Sequence, residues 1–243
     1  MDRAQRPLHL VEELYETLEP LVLFAKAKEA SWQTFFHHSV SVGSCAYRIG
    51  AVVKETAKSS RSWMLQSSVA RIEEETKPLS YEELLFFSGV VHDYVKMCSK
   101  KRTQVARELL LKLLRERNVE PEKARALADL MLSIAAATEK LSSTELDEVY
   151  LKLVVSVVHV ADILMGAMGV NEAFAALAAD RVALLLEEVA GVKFGFAKVA
   201  APSLLQATVS ENVVKALEEN GWMQVAVYGD GAIFAGTPSA QRV

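Results

Sequence analysis

Histidine and aspartate side chains occur together at three places inside apolar stretches of the sequence. Four of the five histidines lie there, and the six residues are His37 and His38, His92 and Asp93, and His159 and Asp162. Burying such groups is costly unless each has a polar partner. Imidazole nitrogens and carboxylate oxygens from three helices can converge on one divalent ion and leave positions open for water. The pattern therefore predicts a metal site.

Helical geometry limits which of these side chains can meet at one point. Successive helical residues point about 100° apart, so only one of His37 and His38 is expected to face inward. His159 precedes Asp162 by three residues on the same helix face, which suits core packing or support of a ligand. These arguments leave the roles of His37 and His159 open.

The elements that must position these residues are helices. Before residue 170 the apolar residues recur at helical spacing. The predicted helices span residues 8–28, 34–58, 81–99, 103–117, 121–140 and 143–168. Ser80 with Glu83 matches a capping box, Ser142 to Glu145 looks like another, and Pro121 suits a first helical turn. Each of the three histidine-containing stretches falls within one of these helices.

The sequence changes character after Gly169. Helices are predicted over 171–189 and 202–220, with strand periodicity over 191–199 between them. Residues 222–235 place β-forming residues on both sides of Gly229-Asp230-Gly231, which is a good hairpin signal. The expected fold is mainly α: a helical bundle over residues 1–190, followed over residues 191–243 by a small α+β unit of about three strands.

Composition indicates a folded protein without export or membrane signals. The 243 residues are 51% hydrophobic and 24% charged, which argues against long disordered tracts. The amino terminus lacks signal-peptide features, and Cys45 and Cys98 suit reduced core thiols, so a cytoplasmic location is the default expectation. The stretch 153–170 is apolar enough to be mistaken for a membrane span, but His159 and Asp162 would be costly in lipid. We expect a buried helix there and no membrane partner.

The charge distribution is uneven along the chain. Residues 94–117 contain eight lysines and arginines against two glutamates, although the whole chain has a net charge of −4. A basic segment that begins just after Asp93 could guide a polyanionic substrate toward the site. The ordinary alternative is a solvated helix face.

The three motifs together resemble the HD superfamily of metal-dependent phosphohydrolases, all-helical proteins named for an adjacent His-Asp pair. The segments that match its motifs are His38–Val42, His92–Lys96 and Val158–Asp162. One departure is Val95, where many of these enzymes have glycine. The resemblance implies an HD-domain helical bundle that binds divalent metal. It implies metal ligands at His38, His92, Asp93 and Asp162.

The same resemblance bears on the number of ions and on catalysis. Family members with two or three metals carry further histidines between the namesake pair and the closing aspartate, and this chain has none between Asp93 and His159. One ion per site, such as Mn²⁺, Mg²⁺ or Ni²⁺, is therefore expected, although His37 and His159 could support a second. The expected catalytic residues are Asp93, which would also orient water, and Lys96, which would contact a substrate phosphate. Lys96 equally suits an ordinary surface lysine.

The carboxyl-terminal part has a second resemblance. Its Phe194-Gly195-Phe196 segment and the later Gly229–Phe234 hairpin are similar to the region that follows the HD domain in large subunits of CRISPR effector complexes. The unpermuted order of the HD motifs is like that of the type I-D large subunit. This likeness implies the amino-terminal nuclease portion of a longer subunit. The implied partners are single-stranded DNA, the other complex subunits with their guide RNA, and, as a further candidate, a helicase subunit.

Three functions remain open from the sequence. The leading expectation is a metal-dependent nuclease that hydrolyses DNA phosphodiesters, with single-stranded DNA as substrate, in CRISPR antiviral interference. A second is a nucleotide phosphohydrolase of the HD type, which would need a closed pocket that reads one base. The third is a catalytically silent scaffold of a CRISPR ribonucleoprotein. The complete set of four candidate ligands argues against the third function.

Overall fold

The structure is a computed structural model that describes residues 9–10, 12, 29–96, 100–138, 149–168, 172–200, 207–228 and 231–237. Within these residues the chain forms eight helices and three strands. In chain order they are α1 (Glu29–Ser59), α2 (Trp63–Thr76), α3 (Tyr81–Lys96), α4 (Lys100–Glu116), α5 (Pro121–Thr138), α6 (Val149–Met168), α7 (Glu172–Ala190), β1 (Gly195–Ala200), α8 (Ala207–Glu219), β2 (Met223–Tyr228) and β3 (Gly231–Gly236). The predicted mainly helical fold with a small three-stranded unit is confirmed. Most of the predicted helix 8–28 and the predicted cap at 142–145 lie outside the described residues.

Helix α2 was not predicted from the sequence. It begins after Ser62, whose hydroxyl accepts a hydrogen bond from the backbone N–H of Leu65 at 3.3 Å. Its buried apolar residues are Leu65, Val69 and Ile72, which recur at helical spacing among polar side chains. A narrow apolar stripe is enough to bury one face, although the segment as a whole looks like a polar loop.

Two predicted helix starts are present in the structure. The backbone N–H of Ser80 donates to Glu83 at 2.9 Å, and the N–H of Glu83 donates to the Ser80 hydroxyl at 3.2 Å. This is the reciprocal capping box expected before α3. Pro121 opens α5, and the Glu120 carboxylate accepts hydrogen bonds from the N–H groups of the next two residues after the proline, at 3.0 Å each.

Helices α1, α3 and α6 form the centre of the bundle. Helix α1 packs along α3, and α6 packs against both. Gly50 of α1 lies against Tyr81 and Leu85 near the beginning of α3, whereas Gly43 lies against Phe86, so the two helices run antiparallel. This arrangement brings the amino-terminal part of α1 beside the carboxyl-terminal end of α3.

The three strands form one antiparallel sheet in the order β1-β3-β2. Helix α8 connects the two edge strands and packs on β1, while β2 packs against α1. Val225, Ile233 and Ala235 of the sheet are buried in the same apolar cluster as the central helices. Helix α7 ends at Ala190, and the apolar core continues from the helices into the sheet. The division at residue 190 stays a prediction.

Helix α6 is the stretch that could be mistaken for a membrane span. Its residues Leu153 to Val158 are buried within the bundle core. Within the described ranges, every helix is too short or too polar to cross a bilayer. Cys45 of α1 is also buried as a free thiol, and burial raises its pKa to about 12. Cys98 lies outside the described residues.

Candidate metal centre

Four of the predicted site residues meet where the three central helices come together. His38 lies near the amino-terminal end of α1, His92 and Asp93 lie near the end of α3, and Asp162 lies in the second half of α6. Because α1 and α3 are antiparallel, residues far apart in the chain lie side by side. The imidazole rings of His38 and His92 have centroids 5.4 Å apart.

Each imidazole approaches both carboxylates through its Nε2 atom. His92 Nε2 lies 3.1 Å from Asp93 Oδ1 and 3.1 Å from Asp162 Oδ1. His38 Nε2 lies 3.3 Å from Asp93 Oδ2 and 3.4 Å from the same Asp162 Oδ1. Two ligand atoms that each bind one ion at about 2.1 Å are about 3.0 Å apart at an octahedral angle and about 3.4 Å apart at a tetrahedral one. The observed spacings therefore fit a shared divalent ion.

The other ring nitrogen of His92 decides what its Nε2 atom can do. His92 Nδ1 lies 2.6 Å from the Gly89 carbonyl oxygen, which can only accept a hydrogen bond. Nδ1 therefore carries the hydrogen, and in the neutral ring Nε2 presents a lone pair. That lone pair points at two carboxylate oxygens, which is repulsive unless the ring is protonated or a cation lies between them. His92 is completely buried, so water does not relieve the conflict.

When no metal is bound, protonation of the imidazoles relieves this repulsion. Hydrogen bonds to Asp162 and Asp93 outweigh burial and raise the pKa of His38 to about 9. For His92, burial lowers the pKa, but the two carboxylates together outweigh burial and leave it raised. A bound divalent ion would supply the positive charge that these protons supply in its absence.

The raised pKa of His38 predicts how the metal-free protein responds to pH. A histidine whose pKa is higher in the folded than in the unfolded state stabilises the fold fully below the unfolded value. That stabilisation is lost as the pH rises through the folded value. We therefore expect the melting temperature in EDTA to fall between pH 6.5 and pH 9. Differential scanning fluorimetry of wild type and His38→Gln would check this, and equal slopes for the two proteins would contradict it.

The four side chains differ in their access to solvent. His92 is 0% exposed and forms the floor of the site, whereas the side chains of Asp93 and Asp162 are 20% and 21% exposed. The His38 side chain is 31% exposed and lies at the rim. Among the four side chains, the one from α1 is therefore the most exposed to solvent.

The remaining predicted residues are not members of this group or have side chains outside the described part of the structure. Among the described residues, ligand atoms mutually within 4.8 Å belong to His38, His92 and Asp93, and Asp162 contacts both imidazoles. His37 is exposed, His159 is half-buried, and neither joins that group. The backbone of Lys96 ends α3, but its side chain lies outside the described part of the structure.

The described part of the basic segment is engaged in structural contacts. Arg107 forms an ion pair with Asp129 at 2.6 Å, and the Arg117 guanidinium lies 5.0 Å from the centre of the Phe87 ring. Lys112 is 3.9 Å from a glutamate one turn further along α4. These contacts favour a stabilised helix face for the second half of the segment. The side chains of residues 94–102 lie outside the description.

No protein-family model matches the chain, and no curated protein or solved structure is significantly similar to it. Evidence about function therefore comes from the geometry of the site and from the motifs in the sequence. Gly89, which orients His92, is a site residue that sequence reasoning missed. Its position three residues before a candidate ligand was the signal available, since a carbonyl there can reach the ring of the histidine.

Proposed function

We propose that the chain is a metal-dependent phosphohydrolase of the HD type, a nuclease that hydrolyses DNA phosphodiesters with single-stranded DNA as substrate. The observation that carries this proposal is the approach of two imidazole Nε2 atoms to two shared carboxylates at 3.1–3.4 Å. The hydrogen bond from His92 to Gly89 supports it, because it turns the lone pair of His92 toward that centre. Two imidazoles in their neutral form would not be stable beside these two carboxylates without a cation between them.

The residues of the chain have separate tasks in the proposed reaction. His38, His92, Asp93 and Asp162 would hold the ion, with buried His92 fixing the depth of the site. A divalent ion there would lower the pKa of a bound water and polarise a phosphoryl oxygen. Asp93 would also orient the attacking water, because its side chain is partly exposed and so stays accessible to solvent. Lys96, at the end of the same helix, would offset charge on the non-bridging phosphate oxygens.

The choice of DNA and of a CRISPR complex depends on the sequence. The three motifs occur in the HD order, and the carboxyl-terminal unit is similar to the region that follows the HD domain in type I-D large subunits. The antiparallel sheet with its β2–β3 hairpin is compatible with that likeness. The proposed setting is a cytoplasmic effector complex with guide RNA, other subunits and a helicase as partners.

The proposal is tested by incubating the purified chain with Mn²⁺ or Mg²⁺ and fluorescently labelled single-stranded DNA. We expect cleavage that EDTA abolishes and that Asp93→Asn reduces by more than about 100-fold, because losing even residues behind the ligands costs 10–100-fold. Asp180→Asn is the matched control, since Asp180 is exposed on α7 and an amide there leaves the site unchanged. Gel electrophoresis of the products measures the rate.

Three results would contradict the nuclease assignment. Equal cutting by wild type and Asp93→Asn would remove the assigned site. Phosphate release from a nucleotide panel with DNA left intact would indicate a nucleotide phosphohydrolase. Neither activity, together with no bound metal, would indicate a scaffold.

A further inference from the structure

Helices α1 and α3 cross in direct backbone contact at two glycines close to the site. A Cβ atom built on Gly89 would lie 2.8 Å from the Cα of Gly43 and 3.0 Å from its backbone nitrogen. A Cβ atom on Gly43 would lie 2.8 Å from the Phe86 carbonyl oxygen and 2.8 Å from Val90 Cγ2. Real Cβ atoms essentially never approach other atoms this closely, so both positions require glycine at the present helix spacing.

The crossing point lies about one helical turn from the ligands on each helix. Gly89 is three residues before His92 on α3, and Gly43 is five residues after His38 on α1. Most helix pairs are 8–10 Å apart, and closer approach requires residues without side chains at the contact. The spacing set at the glycines therefore also sets how far His38 stands from the carboxylates opposite it.

Gly89 has a second role that the helix spacing does not explain. Its carbonyl oxygen accepts the hydrogen bond from His92 Nδ1 at 2.6 Å. That bond fixes the orientation of the ring and its tautomer. One residue thus controls both the orientation of a candidate ligand and the distance between the helices that carry the ligands.

We propose that Gly43 and Gly89 are positioning residues that set the bite of the metal centre, meaning the distance across which His38 reaches the α3 ligands. This inference depends on the metal site proposed above. An ordinary Cβ contact is 3.4–4 Å, so a methyl group at Gly89 would separate the helices by about 1 Å. Metal ligands must stay within about 0.2 Å of their ideal distances. His38 would then leave the ligand set while His92 and Asp93, both on α3, would keep their mutual geometry.

The experiment measures Co²⁺ binding, with Co²⁺ as a spectroscopic substitute for the native ion. Gly89→Ala is compared with Gly166→Ala, which adds the same methyl group to α6 at a position with nothing within 4 Å of the new Cβ. We expect Gly89→Ala to weaken Co²⁺ binding by at least 10-fold in calorimetry. Its visible absorption spectrum should match that of His38→Ala, whereas Gly166→Ala should bind and absorb like wild type.

The outcomes separate this inference from the proposed function. If wild type binds no Co²⁺, the metal site itself is wrong. If wild type binds Co²⁺ and Gly89→Ala keeps its affinity and spectrum, the positioning role is wrong although the metal site stands. A general loss of stability would not give Gly89→Ala the specific spectrum of His38→Ala.

A second pair of variants keeps the test valid if Gly89→Ala does not fold. The Cβ added in Gly43→Ala would lie 2.8 Å from one backbone atom, the Phe86 carbonyl oxygen, and 2.8 Å from one side-chain atom, Val90 Cγ2. Adding Val90→Ala removes the second of these two close contacts. We expect the double variant to recover part of the Co²⁺ affinity that Gly43→Ala loses. Full wild-type affinity in Gly43→Ala alone would overturn the positioning role.

Discussion

Saturating Mn²⁺ is expected to raise the melting temperature of the protein by about 5–10 °C. A ligand that binds only the folded state at 100 times its dissociation constant stabilises it by about 2.7 kcal/mol. In a chain of this size each kcal/mol shifts the melting temperature by about 2–4 °C. The source of the gain is the positive charge of the ion, which would stand between two carboxylates and two imidazole lone pairs.

Scanning fluorimetry with Mn²⁺, Ni²⁺ and Mg²⁺ against EDTA would measure this shift. Asp162→Asn should abolish it, because Asp162 contacts both imidazoles through one oxygen. Asp129→Asn is the control, since Asp129 pairs with Arg107 on the bundle surface. A shift that survives in Asp162→Asn would mean that the ion binds elsewhere, and no shift with any of the three metals would count against the metal centre.

Much of the site geometry followed from the sequence. Periodicity placed His38, His92 and Asp162 on three helices, and the 100° rotation between successive residues required one of His37 and His38 to face outward. In the structure His37 is exposed, and His38 is in the cluster. Whether these side chains bind metal stays a prediction.

The hairpin and the helix starts could be predicted for a different reason. The capping box at Ser80 and the pairing of β2 with β3 depend on residues close to each other in the sequence, although turn residues 229–230 lie outside the described residues. Local chemistry of this kind is readable without knowing the fold. Helix α2 was missed because its apolar stripe is narrow, and the helix is stabilised by burial against other helices rather than by its own composition.

The close crossing at Gly43 and Gly89 could not be predicted. Gly89 lies in an apolar helix with no other glycine, and α1 contains both Gly43 and Gly50. From the sequence, each looks like a mildly unfavourable residue inside a helix. The requirement for glycine at these two positions becomes visible only when two segments more than 40 residues apart in the chain are in contact. The spacing across the candidate metal centre is a property of that contact and not of either motif.

His92→Ala and His38→Ala are expected to separate stability from metal binding. His92 is fully buried and donates a hydrogen bond to the Gly89 carbonyl, so its removal leaves a cavity and costs that carbonyl its side-chain donor. We expect a loss of about 2–4 kcal/mol in the metal-free protein, which lowers the melting temperature by about 4–16 °C. His38 lies at the rim, where alanine leaves no buried cavity. Its loss should therefore cost much less at pH 9, where most of the stabilisation from its imidazolium has been lost. Thermal unfolding in EDTA at pH 9 measures the difference, and Mn²⁺ should no longer stabilise either variant.

Equal stabilities of the two metal-free variants would mean that His92 is not the floor of the site. Retained stabilisation of His38→Ala by Mn²⁺ would remove His38 from the ligand set.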